Sequence, residues 1–338
     1  MKKKNKIAIF TFIFIDLCIV MFLFLSYGPI NYFRDLLITT AMSTKSHKYL
    51  AYTLYDDGTI LLVLKNNYTK EITDDTDTSH IKLTDIKEQD NYESKYEEQI
   101  LKKEEENDLY KLVPLSGNGY KGYLVAIYDP TRISLVTSKY LGKSGQFLNT
   151  MAKEQNAKVA INAAGFVDIG GAGDGGTPTG QMIQNGKLVW NGATTGWGGG
   201  LAGFTKDGIL MLTHSSAADA IKAGMVDGVE FGPFLVVNGQ AAEIKGNGGR
   251  GVHPRTILAQ RQDGIVLFFI IDGRQPGYSI GISLADMTDL LLKYKAYNAV
   301  NLDGGASSSL NINGKIINKP CAVSATGERP IPAAWMLK

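Results

Sequence analysis

Four stretches of this 338-residue sequence set a polar or charged side chain at the end of an apolar run. The first is Asn301-Leu302-Asp303-Gly304-Gly305-Ala306-Ser307-Ser308-Ser309, where a carboxylate and two glycines leave the run NAVNL together. Glycines there permit a sharp turn and a close approach of backbone to a ligand, and the following serines and backbone N–H groups can hold an anion. The competing reading is an ordinary Asp-Gly turn between strands. The second is Asp272-Gly273-Arg274-Gln275, an acid and an arginine after FFII. The third, His253-Pro254-Arg255-Thr256, opens an apolar run just after the glycine-rich GNGGRG, and the fourth, Ile161-Asn162-Ala163-Ala164-Gly165-Phe166, closes one.

Chemistry at these points requires elements that bring run ends together. Thirty-six of the 38 glycines follow Pro114, which marks a turn-rich domain in the last part of the chain. Short apolar runs bounded by turn residues succeed one another there: GYLVAIYD, KVAINAA, KLVWNG, GILMLT, PFLVVNG, RTILAQ, GIVLFFIIDG and NAVNLDGG. They predict strands, several covered on both faces because they are continuously apolar. Helices are predicted over residues 146–156 and 284–297, with Ser283 as N-cap of the second. Strands with few helices between them imply an α+β domain built on a mixed β-sheet rather than a doubly wound one.

Whole-chain composition is nearly neutral, with 35 Lys and Arg against 33 Asp and Glu, and 44% hydrophobic. That excludes a disordered chain and a nucleic-acid binder working by bulk charge, so no nucleic-acid partner is expected. The only cysteines, Cys18 and Cys321, lie at opposite ends of the chain, and no disulfide is expected between them. KKKNK precedes residues 7–25, an apolar run broken only by Thr11 and Asp16. About 20 such residues match the ~30 Å hydrocarbon layer of a bilayer, and the lysines place the N-terminus in the cytoplasm. A cleaved secretory signal would need a small-x-small site, which FLFLSYGPI lacks. The chain is therefore expected in the cell membrane as a single-pass protein, with residues 1–27 as tip and anchor and the C-terminal domain extracellular.

Residues 28–115 are expected as a juxtamembrane helix, one strand at 59–65 (TILLVLK) and a charged stalk. The helix follows from Ile30, Phe33, Leu36, Leu37 and Ala41 at three- and four-residue spacing; it would lie on the membrane or on the domain. Residues 65–111 carry fourteen acidic against eight basic residues and no Gly, Pro or Cys, which reads as a solvated spacer.

Taken in order, INAAGF, HPRT, DGRQPGYSIGISLADM and NLDGGASSSL, with GPFLVVNG at 232–239, resemble the phosphodiester glycosidase family over roughly residues 116–338. Ala306 stands where the family usually has a third glycine, and Ala163-Ala164 where Gly-Gly is common; both are small-for-small exchanges. The anchor and stalk lie outside the resemblance and are similar to arrangements in membrane-tethered surface proteins of Gram-positive bacteria. The resemblance implies an enzyme that hydrolyses sugar-1-phosphodiester linkages, here in surface glycans or glycan phosphopolymers. A non-catalytic glycan-binding or polymer-assembly factor on the same fold, and a phosphodiesterase cutting on the other side of phosphorus, stay open.

Such hydrolysis needs a carboxylate near the anomeric carbon, and the candidates are Asp303, Asp272 and Glu230, in that order. Arg255 and Arg274 offer the planar fork that suits phosphate oxygens. Asn162, Gly304, Gly305, Ser307 and Ser308 are candidates for holding the sugar or phosphate. Against these stand structural readings: Arg255 as the ion-pair partner of Asp272 or Asp303, Glu230 as a turn residue before Gly232-Pro233, and His253 and His214 as structural or surface histidines. Trp190 and Trp197 flank GATTGWGGG and would stack on a sugar ring or pack in the core. Residues 168–180 (DIGGAGDGGTPTG) predict a mobile lid or ligand loop. No cofactor is required; a divalent cation such as Ca²⁺ at the two aspartates of that loop stays open, although their spacing fits no standard calcium loop.

Overall fold

The computed structural model describes residues 3–44, 46–84, 91–102, 107–169, 173–194 and 199–338. A seven-stranded sheet forms its centre, in the spatial order Gln240–Ala241, Phe234–Val237, Ala296–Asn301, Arg255–Arg261, Val266–Ile271, Tyr120–Ile127 and Tyr110–Gly117, with antiparallel neighbours. Side-chain alternation divides each strand between two apolar layers. Phe268 and Ile270 enter one layer, with Trp335, Phe204, Phe234 and Val300. Phe269 and Ile271 enter the other, with Met287, Leu291 and Tyr294. VLFFII is therefore apolar at every position because both of its faces are covered.

Two five-stranded antiparallel sheets supply the first cover. One includes Val159–Asn162 beside Ala333–Leu337, the other Met225–Phe231 beside Gly200–Thr205. Helix Leu284–Lys293 supplies much of the second, capped by Ser283, whose hydroxyl oxygen accepts from Asp286 N–H at 3.1 Å. It ends earlier than residue 297 because Lys295 takes φ +58°, and Ala296 opens the next strand. Leu148–Glu154 is the other predicted helix. The fold is α+β, as the sequence implied.

Two expectations for the N-terminal part are corrected. Residues 59–65 are not a strand but lie within the helix Asp57–Asn66. Asp56 caps it, accepting from Thr59 N–H at 2.9 Å and from the Thr59 hydroxyl at 2.7 Å. Ile60 and Val63, one helical step apart, bury together against Ile38 and Ala41. A short apolar run fits helix or strand equally, and the cap decides between them.

The charged segment is not a detached stalk, because its described residues lie on the domain. Tyr68–Lys70 pairs with Glu243–Lys245. The Glu71 carboxylate accepts from Gly199 N–H at 2.7 Å and Phe234 N–H at 2.9 Å. Ile100 and Leu101 of helix Lys95–Leu101 are buried in the second apolar layer. Lys295 bridges Glu93 at 2.6 Å and Glu97 at 2.9 Å beside them. The segment's few apolar side chains are spread along its length, so they build no core; they complete one that already exists.

Helix Lys3–Tyr27 contains a stretch, Lys6–Tyr27, long and apolar enough to cross a membrane, and its side chains are exposed along Phe10, Phe12 and Phe14. The predicted amphipathic helix is Asn31–Met42, and it packs on the domain. Asn247 donates to the Thr39 hydroxyl at 2.7 Å, and Val252 N–H donates to the Thr40 hydroxyl at 3.1 Å. Both cysteines are free.

The packing of the charged segment is measurable. Ile100→Ala is expected to lower the unfolding free energy of the full chain by about 2–5 kcal/mol in urea titration, the usual cost of emptying an aliphatic site in a core. A change within about 0.5 kcal/mol would instead mark a solvent-facing residue and a true spacer.

Candidate active site

Antiparallel register assembles the site. Arg255 pairs with Ile271 and Ile257 with Asn301, so the start of one strand lies beside the ends of its two neighbours. Arg255, Asp272 and Asp303 consequently leave the sheet at one rim. Asn162, fully buried, reaches that rim from the adjoining sheet. Its amide N–H donates to the Asp303 carbonyl at 2.6 Å, and its oxygen accepts from the Thr256 hydroxyl at 2.8 Å and from Ser309 N–H at 3.2 Å. One side chain thus holds both ends of the turn 303–309.

The glycines of that turn are there for contact. A Cβ at position 304 would stand 2.7 Å from the Pro254 carbonyl oxygen. Gly305 adopts φ +61°, and a Cβ there would stand 3.1 Å from the Arg274 guanidinium. Arg274 therefore lies against bare backbone. Arg274 itself sits at φ +60°, a left-handed conformation that costs a non-glycine residue roughly 1–2 kcal/mol. Ser307 and Ser308 are buried under the turn and do not line the cavity; the Ser308 and Thr256 hydroxyls stand 3.2 Å apart.

A cavity of about 1680 Å³ opens at the rim, lined by Asp303, Gly304, Gly305, Arg255 and Arg274. Arg255 is almost fully buried, yet it donates only to carbonyls: those of Arg250 at 3.0 Å, Gly251 at 2.9 Å and Ile282 at 3.4 Å. Among the described residues no carboxylate comes within ion-pair distance of Arg255 or Arg274, so Arg255 is not the partner of Asp272 or Asp303. Burial first, then the neighbouring Arg250 and Arg274, pull its pKa down to about 9. A buried cation with cationic neighbours favours an incoming anion.

His253 lies between these groups. Arg274 approaches its Nδ1 at 3.4 Å, and Ser43 approaches its Nε2 at 2.7 Å. A guanidinium only donates, so Nδ1 accepts. The Ser43 hydroxyl donates to the Thr40 carbonyl at 3.0 Å, so its oxygen accepts from Nε2–H. The ring is the neutral Nε2–H tautomer, and burial together with Arg255 and Arg274 holds its pKa well below the usual value.

Two of the three candidate carboxylates lie off the cavity wall. Asp272 is buried behind it: Oδ1 accepts from Asn318 at 2.8 Å and Lys319 N–H at 3.1 Å, and Oδ2 accepts from the Tyr278 hydroxyl at 3.0 Å. Glu230 accepts from Gln181 N–H at 3.0 Å and likewise does not line the cavity. Burial raises the pKa of both. Asp303 is the candidate that reaches the wall.

Sequence reasoning missed Arg250, Glu328 and Arg329 and set His253 aside, although all four line the cavity. The signal was present: Arg250 belongs to GNGGRG, and Glu328-Arg329 stand just before the last strand, the same placement that singled out the others. Arg329 pairs with Asp168 at 3.0 Å and lies over the Phe166 ring at 4.4 Å. Glu328 accepts from Asn149 N–H at 3.3 Å, and burial raises its carboxyl pKa. His214, by contrast, stands 3.5 Å from Glu71.

The loop expected as a mobile lid forms a wall in its described part. Val167 N–H donates to the Thr177 carbonyl and Gly145 N–H to the Asp174 carbonyl, each at 2.8 Å. Its aspartates hold Gly173 N–H at 2.7 Å and Gly176 N–H at 2.9 Å. No group of three or more His, Cys, Asp or Glu suited to a metal ion occurs among the described residues. Trp190 lines the cavity and donates to the Pro178 carbonyl at 2.9 Å, while Trp197 lies outside the described residues.

A sequence model of the phosphodiester glycosidase family matches residues 155–338. A prophage-derived uncharacterised protein of Bacillus subtilis is 33% identical over 199 residues, covering 56% of this chain and 30% of that protein. The N-acetylglucosamine-1-phosphodiester alpha-N-acetylglucosaminidase of Bos taurus is 27% identical over 163 residues, covering 42% of this chain and 30% of that protein. The chain spans less than half the length of the curated relatives it matches. The solved catalytic domain of the zebrafish N-acetylglucosamine-1-phosphodiester alpha-N-acetylglucosaminidase, auto-inhibited by its pro-peptide, aligns with a TM-score of 0.54 at 22% identity. That alignment covers 68% of this chain and 81% of that one, and it speaks for the fold.

Two outcomes check this geometry. Asn162→Ala strands the Asp303 carbonyl, Ser309 N–H and the Thr256 hydroxyl, and is expected to cost about 1–3 kcal/mol in urea unfolding; no loss would mean the turn is held otherwise. Below about pH 6.5 the unfolded chain protonates its histidines while His253 in the folded chain stays neutral. The folded state then binds fewer protons, so this contribution to stability is complete above that pH and declines as pH falls through the acid side. His253→Gln is expected to flatten that decline in melting temperatures measured from pH 5 to 8; parallel profiles would refute the neutral ring.

Proposed function

From the premise that the chain belongs to the phosphodiester glycosidase family, we propose that it is a membrane-anchored hydrolase of sugar-1-phosphodiesters in surface glycans or glycan phosphopolymers. Residues 6–27 would be its span, with the lysine-rich N-terminus cytoplasmic and the domain outside. The observation that carries the reading is the pair of guanidinium groups, Arg255 and Arg274, facing one cavity with Asp303 and lacking carboxylate partners among the described residues.

In the reaction, a water oxygen bonds to the anomeric carbon as the bond from that carbon to the bridging oxygen breaks. The electron pair leaves with the bridging oxygen as a phosphate monoester. One water proton passes to the Asp303 carboxylate and on to solvent; the other remains on the new sugar hydroxyl. The leaving phosphate is already stable, so acid assistance matters less than charge. Arg255 and Arg274 are cations fixed before the reaction and close to where negative charge grows, which favours the transition state over the substrate. Asn162 and the two glycines fix where Asp303 stands. Asp272 supports this set by tying Lys319 and Tyr278 to the rim.

The test uses the full chain in detergent with methyl N-acetylglucosaminyl phosphate in ¹⁸O-water. Free sugar carrying the label at C1, together with methyl phosphate, is the expected product. Sugar 1-phosphate and methanol would show cleavage on the other side of phosphorus, and binding without release would show a non-catalytic factor. Asp303→Asn is expected to lower kcat by about 10²–10⁴-fold, the range for losing a base or nucleophile. Asp272→Asn is expected to act on stability more than on kcat.

A further inference from the structure

The cavity wall is not made by the domain alone. Phe22 and Leu25, in the last turns of the helix Lys3–Tyr27, line it, as do Leu36 and Leu37 of Asn31–Met42. The first helix is tied to residues 54 and 55, and the end of the second to the site. The Tyr27 hydroxyl donates to the Leu54 carbonyl at 2.6 Å, the Tyr55 hydroxyl donates to the Ser26 carbonyl at 3.2 Å, and Ser43 accepts from His253 at 2.7 Å. On the domain side Phe147, Ile169 and Val323 are exposed at the same cavity. One end of the cavity is thus cationic, and its outer wall is apolar.

Size and position narrow the occupant. About 1680 Å³ exceeds the roughly 300–1,000 Å³ of ordinary small-molecule sites, so a sugar phosphate alone leaves much of it empty. Phe22 and Leu25 belong to the stretch long and apolar enough to cross a membrane, so in the anchored protein proposed above the wall they form meets the bilayer surface rather than bulk water. A water-borne polymer would require polar walls there. Exposed apolar groups gathered around a polar floor mark a binding surface.

We infer that the substrate is a membrane lipid: a glycosyl phosphodiester whose second ester carries a long hydrocarbon chain. This inference rests on the hydrolase reading above. The phosphate meets Arg255 and Arg274, and the chain leaves past Leu36, Leu37, Leu25 and Phe22 into the bilayer. Hydrolysis breaks the bond between C1 and the bridging oxygen with water, as before. It releases the sugar to solution and leaves the lipid phosphate in the membrane.

The experiment places the full chain in phospholipid nanodiscs and compares methyl with hexadecyl N-acetylglucosaminyl phosphate. Wild type is expected to prefer the hexadecyl substrate in kcat/KM. Leu36→Asp is expected to lower that preference by at least about tenfold, since partition into the disc is the same for both proteins and only the groove has changed. Ile169→Asp, at an exposed position that accepts a charge without unfolding, repeats the test should Leu36→Asp fail to fold. An equal preference in wild type and variants, or none in wild type, overturns the lipid assignment and leaves the hydrolase standing. If neither substrate releases sugar, the hydrolase reading fails. Binding then decides the inference separately: hexadecyl phosphate should raise the melting temperature more than methyl phosphate, and Leu36→Asp should abolish the difference; equal shifts overturn it.

Discussion

A guanidinium at Arg255 that is buried with no carboxylate ion pair among the described residues is the constraint on which the site depends. Arg255 spends its donors on three backbone carbonyls, and its nearest charged neighbours, Arg250 and Arg274, are cations as well. Carbonyl dipoles make such a cluster tolerable, but an anion relieves it, and a phosphodiester brings one negative charge with oxygens that match the planar fork. The neutral state of His253 follows from its burial and then from the same field, since a further proton there would be desolvated and would face two guanidinium groups. The choice of glycine at 304 and 305 also follows from it, because the turn that carries Asp303 has to lie flat against Pro254 and Arg274.

Parts far apart in the chain share the work of holding this arrangement. Asn162 ties the Asp303 turn to an adjoining sheet, and Asp272 ties Lys319 and Tyr278 behind it. Thr40, in the helix Asn31–Met42, and Ser43, just after it, complete the hydrogen bonding of Val252 and His253. The N-terminal helices, the first of which is long and apolar enough to cross a membrane, are consequently walls of the cavity. The acidic segment does comparable work through Glu71, whose two oxygens hold Gly199 and Phe234.

Much of the fold was legible because its signals are local. VLFFII reads as a doubly covered strand from its own composition, Ser283 announces a helix by its capping chemistry, and the glycines after Asp272 and Asp303 announce turns. Residues 59–65 misled because their apolar pattern suits either element; the deciding oxygen, on Asp56, lies outside the run. The acidic segment misled because an average over its length hides Ile100 and Leu101, each of which needs only a place in a core built by others.

The sequence by itself determined that acids, arginines and an asparagine stand at the ends of apolar strands, because strand period, capping and turn chemistry are properties of neighbouring residues. Only the tertiary structure decided which of them share a cavity. Register sets Arg255 beside Ile271 and Ile257 beside Asn301, and side chains in a strand alternate between faces, so residues equally polar in sequence finish on opposite sides of the rim. Asp303 and Asp272 look alike as Asp-Gly pairs. They part because Asn318 and Lys319, remote in the chain, fold back onto one of them and leave the other at the cavity wall.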